Sequence, residues 1–300
     1  MRVAYSPVYK YPLLPPGHRF PMEKYDLLPE QLLLDGTLTE DDFFHPVPLE
    51  EAQILRTHTA EYWTKLKTGN LSRAEIRAMG FPFHERLIWR SRHIAAGTLQ
   101  CYDYAVKDGI ALNIAGGTHH AFADRGEGFC IFNDNAIACN ELLYEGKIAQ
   151  AMIVDLDVHQ GNGTAKIFEN EPRVFTLSVH GENNYPLRKE KSDVDIAIAD
   201  GTDDRQYLRI LEDNLPRLMK MVVPDVVFYL SGVDVLSSDK LGRLALSKEG
   251  CMARDRFVFE LCKASGIPVV VSMAGGYSHN LRDIVEAHAN TFRVARRVYF

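Results

Sequence analysis

Short stretches rich in Val, Ile and Ala recur along the chain, and most of them end abruptly on polar residues. They are residues 2–6 (RVAYS), 109–117 (GIALNIAGG), 149–157 (AQAMIVDLD), 173–181 (RVFTLSVHG), 193–201 (DVDIAIADG), 224–234 (PDVVFYLSGVD) and 267–276 (IPVVVSMAGG). Several are apolar at consecutive rather than alternate positions, the pattern of parallel strands covered by helices on both faces. Between them lie longer segments with helical spacing, such as 85–107 and 204–222, the latter carrying Pro216. This alternation predicts one layered α/β domain over residues 1–300, with no linker-like or low-complexity segment to divide it.

The polar ends of these strands carry most of the unusual chemistry. An open parallel sheet binds its ligand outside the carboxyl ends of the strands. Here those ends bear His119 and His120 (GGTHH), Asp155, Asp157 and His159 (VDLDVH), Ser178 and His180 (LSVH), Asp234 (LSGVD) and Tyr277 (MAGGY). Five strands therefore converge on one rim.

Asp155, Asp157 and His159 are spaced by two, so in an extended chain they emerge on one face. A solvated edge strand would explain such a row, but the preceding AMIV is wholly apolar. Buried carboxylates need a compensating cation or dense hydrogen bonding. Asp234 adds another carboxylate at a strand end, where its plain reading is a helix cap. Taken together, two carboxylates and one imidazole from two strand ends form a three-ligand site with room for a water, the layout of a catalytic divalent metal.

His119 and His120 follow a double glycine and are candidates for general base and acid, against the plain reading of surface-loop histidines. Tyr277 could donate to a developing oxyanion, or simply pack. Gly161-Asn162-Gly163 is no phosphate loop, because no Lys-Ser/Thr pair follows. His18, His45, His58, His84, His93, His180, His279 and His288 read as structural or surface groups.

Composition narrows the classes. With 300 residues and 46% hydrophobic content, the chain can bury a sizeable core. Its five cysteines form no CxxC pair and read as reduced thiols. The net charge of −6, with no basic block longer than residues 293–298, argues against a nucleic-acid surface, and that terminal trio of arginines reads as a solvated helix face. No apolar run is long enough to cross a bilayer, and the start lacks the layout of a signal peptide, so a cytoplasmic location is expected.

The set GGTHH, GEGFCIFND, VDLDVHQGNGT, FTLSVHG, LSGVD and MAGGYS, in this order, resembles the zinc-dependent histone deacetylase family. The resemblance runs from GHRFPMEKYDLL and RTHTAEYW to the end of the chain. With Gln160 and Asn162, HQGNG is similar to the class IV branch and its bacterial relatives. The resemblance implies a single-domain, three-layer arginase/deacetylase-like fold on an eight-stranded parallel sheet flanked by helices. It implies zinc on Asp157, His159 and Asp234, although such a donor set leaves ferrous iron open. Asp155 would orient His119. Together with Asp157, His159, Ser178, Val179 and carbonyls near Phe168 and Val174, it would also bind a structural potassium ion. Gly128 and Phe129 match one wall of an acyl-lysine tunnel, Tyr185 would face them, and Arg19 matches an arginine of an internal channel.

The implied reaction is hydrolysis of an N-acyl amide, most simply an acetylated lysine of a protein or peptide. The metal would polarise the carbonyl and acidify its water. His120 would take a proton from that water and pass it to the leaving amine, His119 would stabilise charge, and Tyr277 would help hold the oxyanion. Asn162 departs from the aspartate of class I members: an amide accepts a hydrogen bond but brings no charge, so His120 is expected to be less basic here. Two alternatives stay open. One is another arginase-fold hydrolase acting on an acetylated small amine such as an acetylpolyamine or on a guanidino compound, where a binuclear arginase would need a second metal site that His120 and Asp155 could partly imitate; the other is a non-catalytic module that binds acyl-lysine. The physiological substrate, acyl length and oligomeric state are not legible.

Overall fold

Strands that are apolar on both faces have to be covered on both, and in the computed structural model, which describes all 300 residues, they are. Eight strands form one sheet: β1 (Arg2–Ala4), β2 (Phe43–Phe44), β3 (Ile110–Asn113), β4 (Ala151–Asp155), β5 (Val174–Gly181), β6 (Val194–Ile198), β7 (Val226–Leu230) and β8 (Val269–Ser272). Their order is β2-β1-β3-β8-β7-β4-β5-β6, and every pairing is parallel.

The three layers can be read off the alternation of side chains. Along β7, Val227 and Tyr229 enter one core cluster with Leu211, Leu215, Val258 and Phe292 of the helices Asp204–Val222, Lys248–Ser265 and Leu281–Tyr299. Val226, Phe228 and Leu230 enter a second cluster with Ala105 of the helix Glu85–Asp108 and Ala136, Cys139 and Leu142 of the helix Asp134–Tyr144. The period of two sends neighbouring residues to opposite faces. Each face then needs its own helical layer.

The seven predicted strands and both predicted helices are present, the second helix running through Pro216. Except for β5, which keeps Ser178 and His180 within the strand, the strands stop earlier than the stretches read from sequence, so most of the polar tails are loops at the carboxyl edge. β2 was not predicted, because two phenylalanines carry no periodicity. All five cysteines are buried and unpaired in disulfides. The C-terminal arginines are not simply solvated: Arg293 pairs with Asp35 and Glu286, and Arg296 with Asp42. No helix is long and apolar enough to cross a membrane.

The five strands whose ends carry the candidate chemistry, β3, β8, β7, β4 and β5, are consecutive in the sheet. One edge thus gathers residues up to 158 positions apart.

Candidate active site

The ends of β4 and β7 bring three donors together. Asp157, His159 and Asp234 each offer a ligand atom within 4.8 Å of the others, and all three side chains are buried. His159 Nδ1 lies 3.0 Å from Asp157 Oδ1 and 3.1 Å from Asp234 Oδ2. Backbone amides hold both carboxylates in place: Gly275 N–H donates to Asp157 Oδ2 (2.8 Å) and Val158 N–H to Asp234 Oδ1 (3.0 Å). Gly275 has to be glycine, because a Cβ there would lie 2.0 Å from Asp234 Oδ2. Two buried carboxylates facing one imidazole fit a divalent cation, which would neutralise charge that burial penalises.

The loops behind this cluster are held by buried, fully bonded charges. Arg254, without exposed surface, donates to the carbonyls of Gly232 (2.6 Å), Ser231 (3.2 Å) and Leu156 (3.3 Å), tying the ends of β4 and β7 together. Its partner Asp255 accepts from Tyr229 (2.5 Å) and Thr291 (2.6 Å). The GGTHH loop is anchored by Asp134, which accepts from Gly117 N–H (3.0 Å), Thr118 N–H (2.7 Å) and Thr98 Oγ1 (2.6 Å). Sequence reading missed both anchors. An acid in FND or an Arg-Asp pair within a helix gives no hint of what it will face.

Each adjacent histidine finds its own partner. His119 Nδ1 donates to Asp155 Oδ2 (2.7 Å), and His120 Nδ1 donates to Asn162 Oδ1 (2.7 Å). Asp155 is thus turned to His119, and its Oδ1 also accepts from Asp157 N–H (3.2 Å). Asp155 and Ser178 are register partners on β4 and β5, with Val179 following in β5, while Ser178 Oγ is 2.9 Å from His180 Nδ1.

A cavity of about 440 Å³ opens above the cluster, lined by Phe129, Tyr185, Tyr277, Gly128, His120 and His159 among others. The Tyr185 ring sits edge-on to His120, with centroids 5.0 Å apart, and lines the same cavity as Phe129. Gly128 lets the backbone lie flush on His120: a Cβ would come within 2.6 Å of the imidazole. Tyr277 packs against Phe20 and Phe129, and its hydroxyl makes no hydrogen bond within the protein.

Behind the cluster lies a smaller cavity of about 40 Å³, reached by Arg90, Ile94 and Tyr25. Arg19 does not line it. His18 stacks on Phe81, and Phe20 is buried against Phe129. Arg19, between them, projects outward and is exposed at the rim of the outer cavity beside Arg77. The bend here, closed by Phe20 N–H donating to His18 Nδ1, turns Arg19 away from the inner cavity. The buried cations on the inner side are Arg90, which donates to the Tyr9 carbonyl (2.5 Å), and Lys24, which donates to the Ala274 carbonyl (3.3 Å).

Titration follows this geometry. Burial alone would lower His119, but Asp155 and Asp157 outweigh it and hold it up to about 9. Burial likewise opposes His159, yet hydrogen bonds to Asp157 and Asp234 bring it up to about 10. Burial, followed by the charge of Asp157, raises Asp234. His120 goes the other way: burial and the charges of His119 and His159 push it well below the usual imidazole range, with the Asn162 hydrogen bond opposing. Burial also brings Lys24 down to about 8, against the pull of Asp234.

These directions set a pH dependence for the metal-free chain. Histidines raised above their unfolded value of about 6.5 contribute stability that is complete below that pH and lost as pH climbs towards 9 to 10. Raised Asp234 acts in the same sense at lower pH, since the folded state keeps a proton the unfolded chain has released. A metal ligand must be deprotonated, so metal affinity runs oppositely. The gap in Tm between zinc-loaded and chelator-stripped protein is expected to widen between pH 6 and pH 9. A gap that is constant or narrows across thermal scans at those two pH values contradicts the assignment.

Comparison with known proteins adds a common ancestry to this geometry. Residues 18–292 match the family described as the histone deacetylase domain. An uncharacterised protein of Picosynechococcus is 42% identical over 99% of both chains. Histone deacetylase 2 of Arabidopsis thaliana is 31% identical, covering 87% of this chain and 70% of its own. The crystal structure of the HDA15 HD domain superposes with a TM-score of 0.83 at 20% identity, covering 99% of this chain and 88% of that one, which shows a shared fold.

Proposed function

Since the chain belongs to the histone deacetylase family of hydrolases, we propose that it removes an acyl group, most simply acetyl, from a lysine side-chain amine. The observation that carries this reading is the placement of a converging Asp157-His159-Asp234 set, two separately partnered histidines and a free tyrosine hydroxyl at the foot of one aromatic-walled cavity. Zinc held there, as is general in this family, would polarise an acyl carbonyl and acidify water. Phe129 and Tyr185 flank the linear methylene chain. His120, whose Nδ1 hydrogen is tied to Asn162, offers Nε2 as the general base and then returns the proton to the leaving amine. His119, paired with Asp155, holds positive charge beside the developing anion. Tyr277 donates its O–H to the oxyanion as the carbonyl becomes tetrahedral.

The same reading includes a structural potassium ion at Asp155, Asp157, His159, Ser178 and Val179, supported by the β4–β5 register that sets Asp155 beside Ser178. It also includes membership of the class IV branch, carried by Gln160 and Asn162. Gln160 is committed to structure, donating to the Glu190 carbonyl (2.6 Å) and Asp195 (2.8 Å). Against a binuclear hydrolase, His120 and Asp155 already have partners. Against a polyamine substrate, a polycation would meet Arg19 and Arg77 at the mouth.

The test is turnover of an acetyl-lysine peptide, a long-chain acyl-lysine peptide and an acetylpolyamine by protein of known metal content. Cleavage of an acyl-lysine peptide is expected, with the polyamine turned over least. Zinc bound at one per chain with no amide cleaved would convert the reading to a binding module, and preferential cleavage of the polyamine would move it to small amines.

A further inference from the structure

The charge that Asn162 lacks is supplied from the opposite wall of the cavity. Asn162 Nδ2 donates to Glu127 Oε1 at 3.2 Å, while Asn162 Oδ1 accepts from His120. Glu127 Oε1 also accepts the Tyr185 hydroxyl, and Arg125 Nε lies 3.5 Å from Oε2. A tight turn fixes the carboxylate: Glu127 N–H donates to the Cys130 carbonyl (3.0 Å) and Cys130 N–H to that of Glu127 (2.9 Å). Gly128 and Phe129 are bonded to Ala78 and Met79.

An aspartate at 162 would need no such help, since both of its oxygens accept. An asparagine is ambiguous: rotated by half a turn, it presents an NH2 group to His120 with nearly the same shape. The imidazole would then accept at Nδ1 and carry its hydrogen on Nε2, the wrong tautomer for a base facing the cavity. Glu127 removes this ambiguity because an ionised carboxylate only accepts, so it can be satisfied by Nδ2 and not by Oδ1.

We propose that Glu127 is a positioning residue that acts through Asn162, locking the amide so that His120 is held as the Nδ1–H tautomer with Nε2 bare. Glu127 and Asn162 together replace a single aspartate. The catalytic consequence rests on the deacylase reading; the tautomer does not.

The test uses the full zinc-loaded chain and two readouts. In long-range 1H–15N spectra of protein labelled at histidine, with His120 assigned by its loss in His120→Ala, the parent is expected to show the Nδ1–H form. Glu127→Ala should show a mixture or the Nε2–H form, with zinc content unchanged because the three donors are untouched. Turnover gives the second readout. Glu127→Ala should lower kcat by about tenfold or more, a fraction of the roughly 10²- to 10⁴-fold that a positioned acid–base group supplies, with KM moving less. Glu127→Gln, which keeps an accepting oxygen, should recover part of that loss.

Asn162→Asp gives the sharper contrast. It sets two carboxylates against each other and should lower kcat by about tenfold. Adding Glu127→Gln removes the repulsion, so the double variant should exceed Asn162→Asp alone, a coupling that independent sites do not show. The proposal is overturned if His120 keeps the Nδ1–H form in Glu127→Ala, or if the double variant is no better than Asn162→Asp. If the parent cleaves no amide, the deacylase reading fails, and the spectra still decide the role of Glu127.

Discussion

Asp157→Ala is expected to abolish turnover and to weaken zinc binding by more than about a hundredfold, exceeding the roughly 10- to 100-fold cost of losing a mere supporting partner. The size of the effect follows from the number of tasks this carboxylate performs. It is one of three converging donors, and it accepts from the backbone N–H of His159 at 2.9 Å while lying 3.0 Å from that residue's Nδ1. It also accepts from Gly275 N–H, which fixes the turn leading to Tyr277. Removal therefore subtracts a ligand, frees the imidazole and loosens the turn in one step. His119 and His159 hold Asp157 well below the usual carboxylate range despite its burial, so it is ionised and ready for a cation at any working pH. Competition with a chromophoric chelator measures the affinity. Undiminished zinc affinity in the variant would rule out Asp157 as a ligand.

Tyr277→Phe is expected to lower kcat by about 10²- to 10³-fold, the usual cost of removing one oxyanion donor, with KM nearly unchanged. Burial, then the charges of Asp157 and Asp234, raise the Tyr277 phenol well above its ordinary value, so the hydroxyl remains a donor throughout the working range. Within the protein it donates to nothing. Its ring contacts with Phe20 and Phe129 survive the substitution, which separates chemistry from folding. Steady-state kinetics at matched zinc content decide it: an unaltered kcat removes Tyr277 from the mechanism, and a rise confined to KM makes it a wall of the cavity.

Much of this arrangement was legible before any coordinates. Apolar runs reveal parallel strands because burial on both faces leaves no alternation; seven of the eight strands were located from Val-, Ile- and Ala-rich stretches, although β6 alternates, with Asp195 and Ala197 exposed. Asp157, His159 and Asp234 stood out because carboxylates following apolar strands are costly without a cation. Phe129 and Tyr185 were reached through resemblance, and both line the outer cavity. Arg19 failed for a local reason: residues 18–20 form a bend closed by Phe20 N–H donating to His18 Nδ1, and a bend carries no periodic signal of which side chain turns inward. Arg90 and Lys24, which do face inward, lie on helices whose inner sides cannot be told from their outer sides without the partner layer.

The sequence by itself determined the kinds of element, the edge of the sheet at which chemistry would gather and the donors that could hold a metal. Each of these depends on a residue and its near neighbours, through periodicity and the cost of burying charge. Only the tertiary structure decided who answers whom across the sheet: Arg254 tying β4 to β7, Asp134 bracing the histidine loop, and Glu127 reaching Asn162 over 35 residues. Those partnerships are set by strand order and loop direction. A single hydrogen bond between distant residues leaves no periodic trace in the chain that makes it.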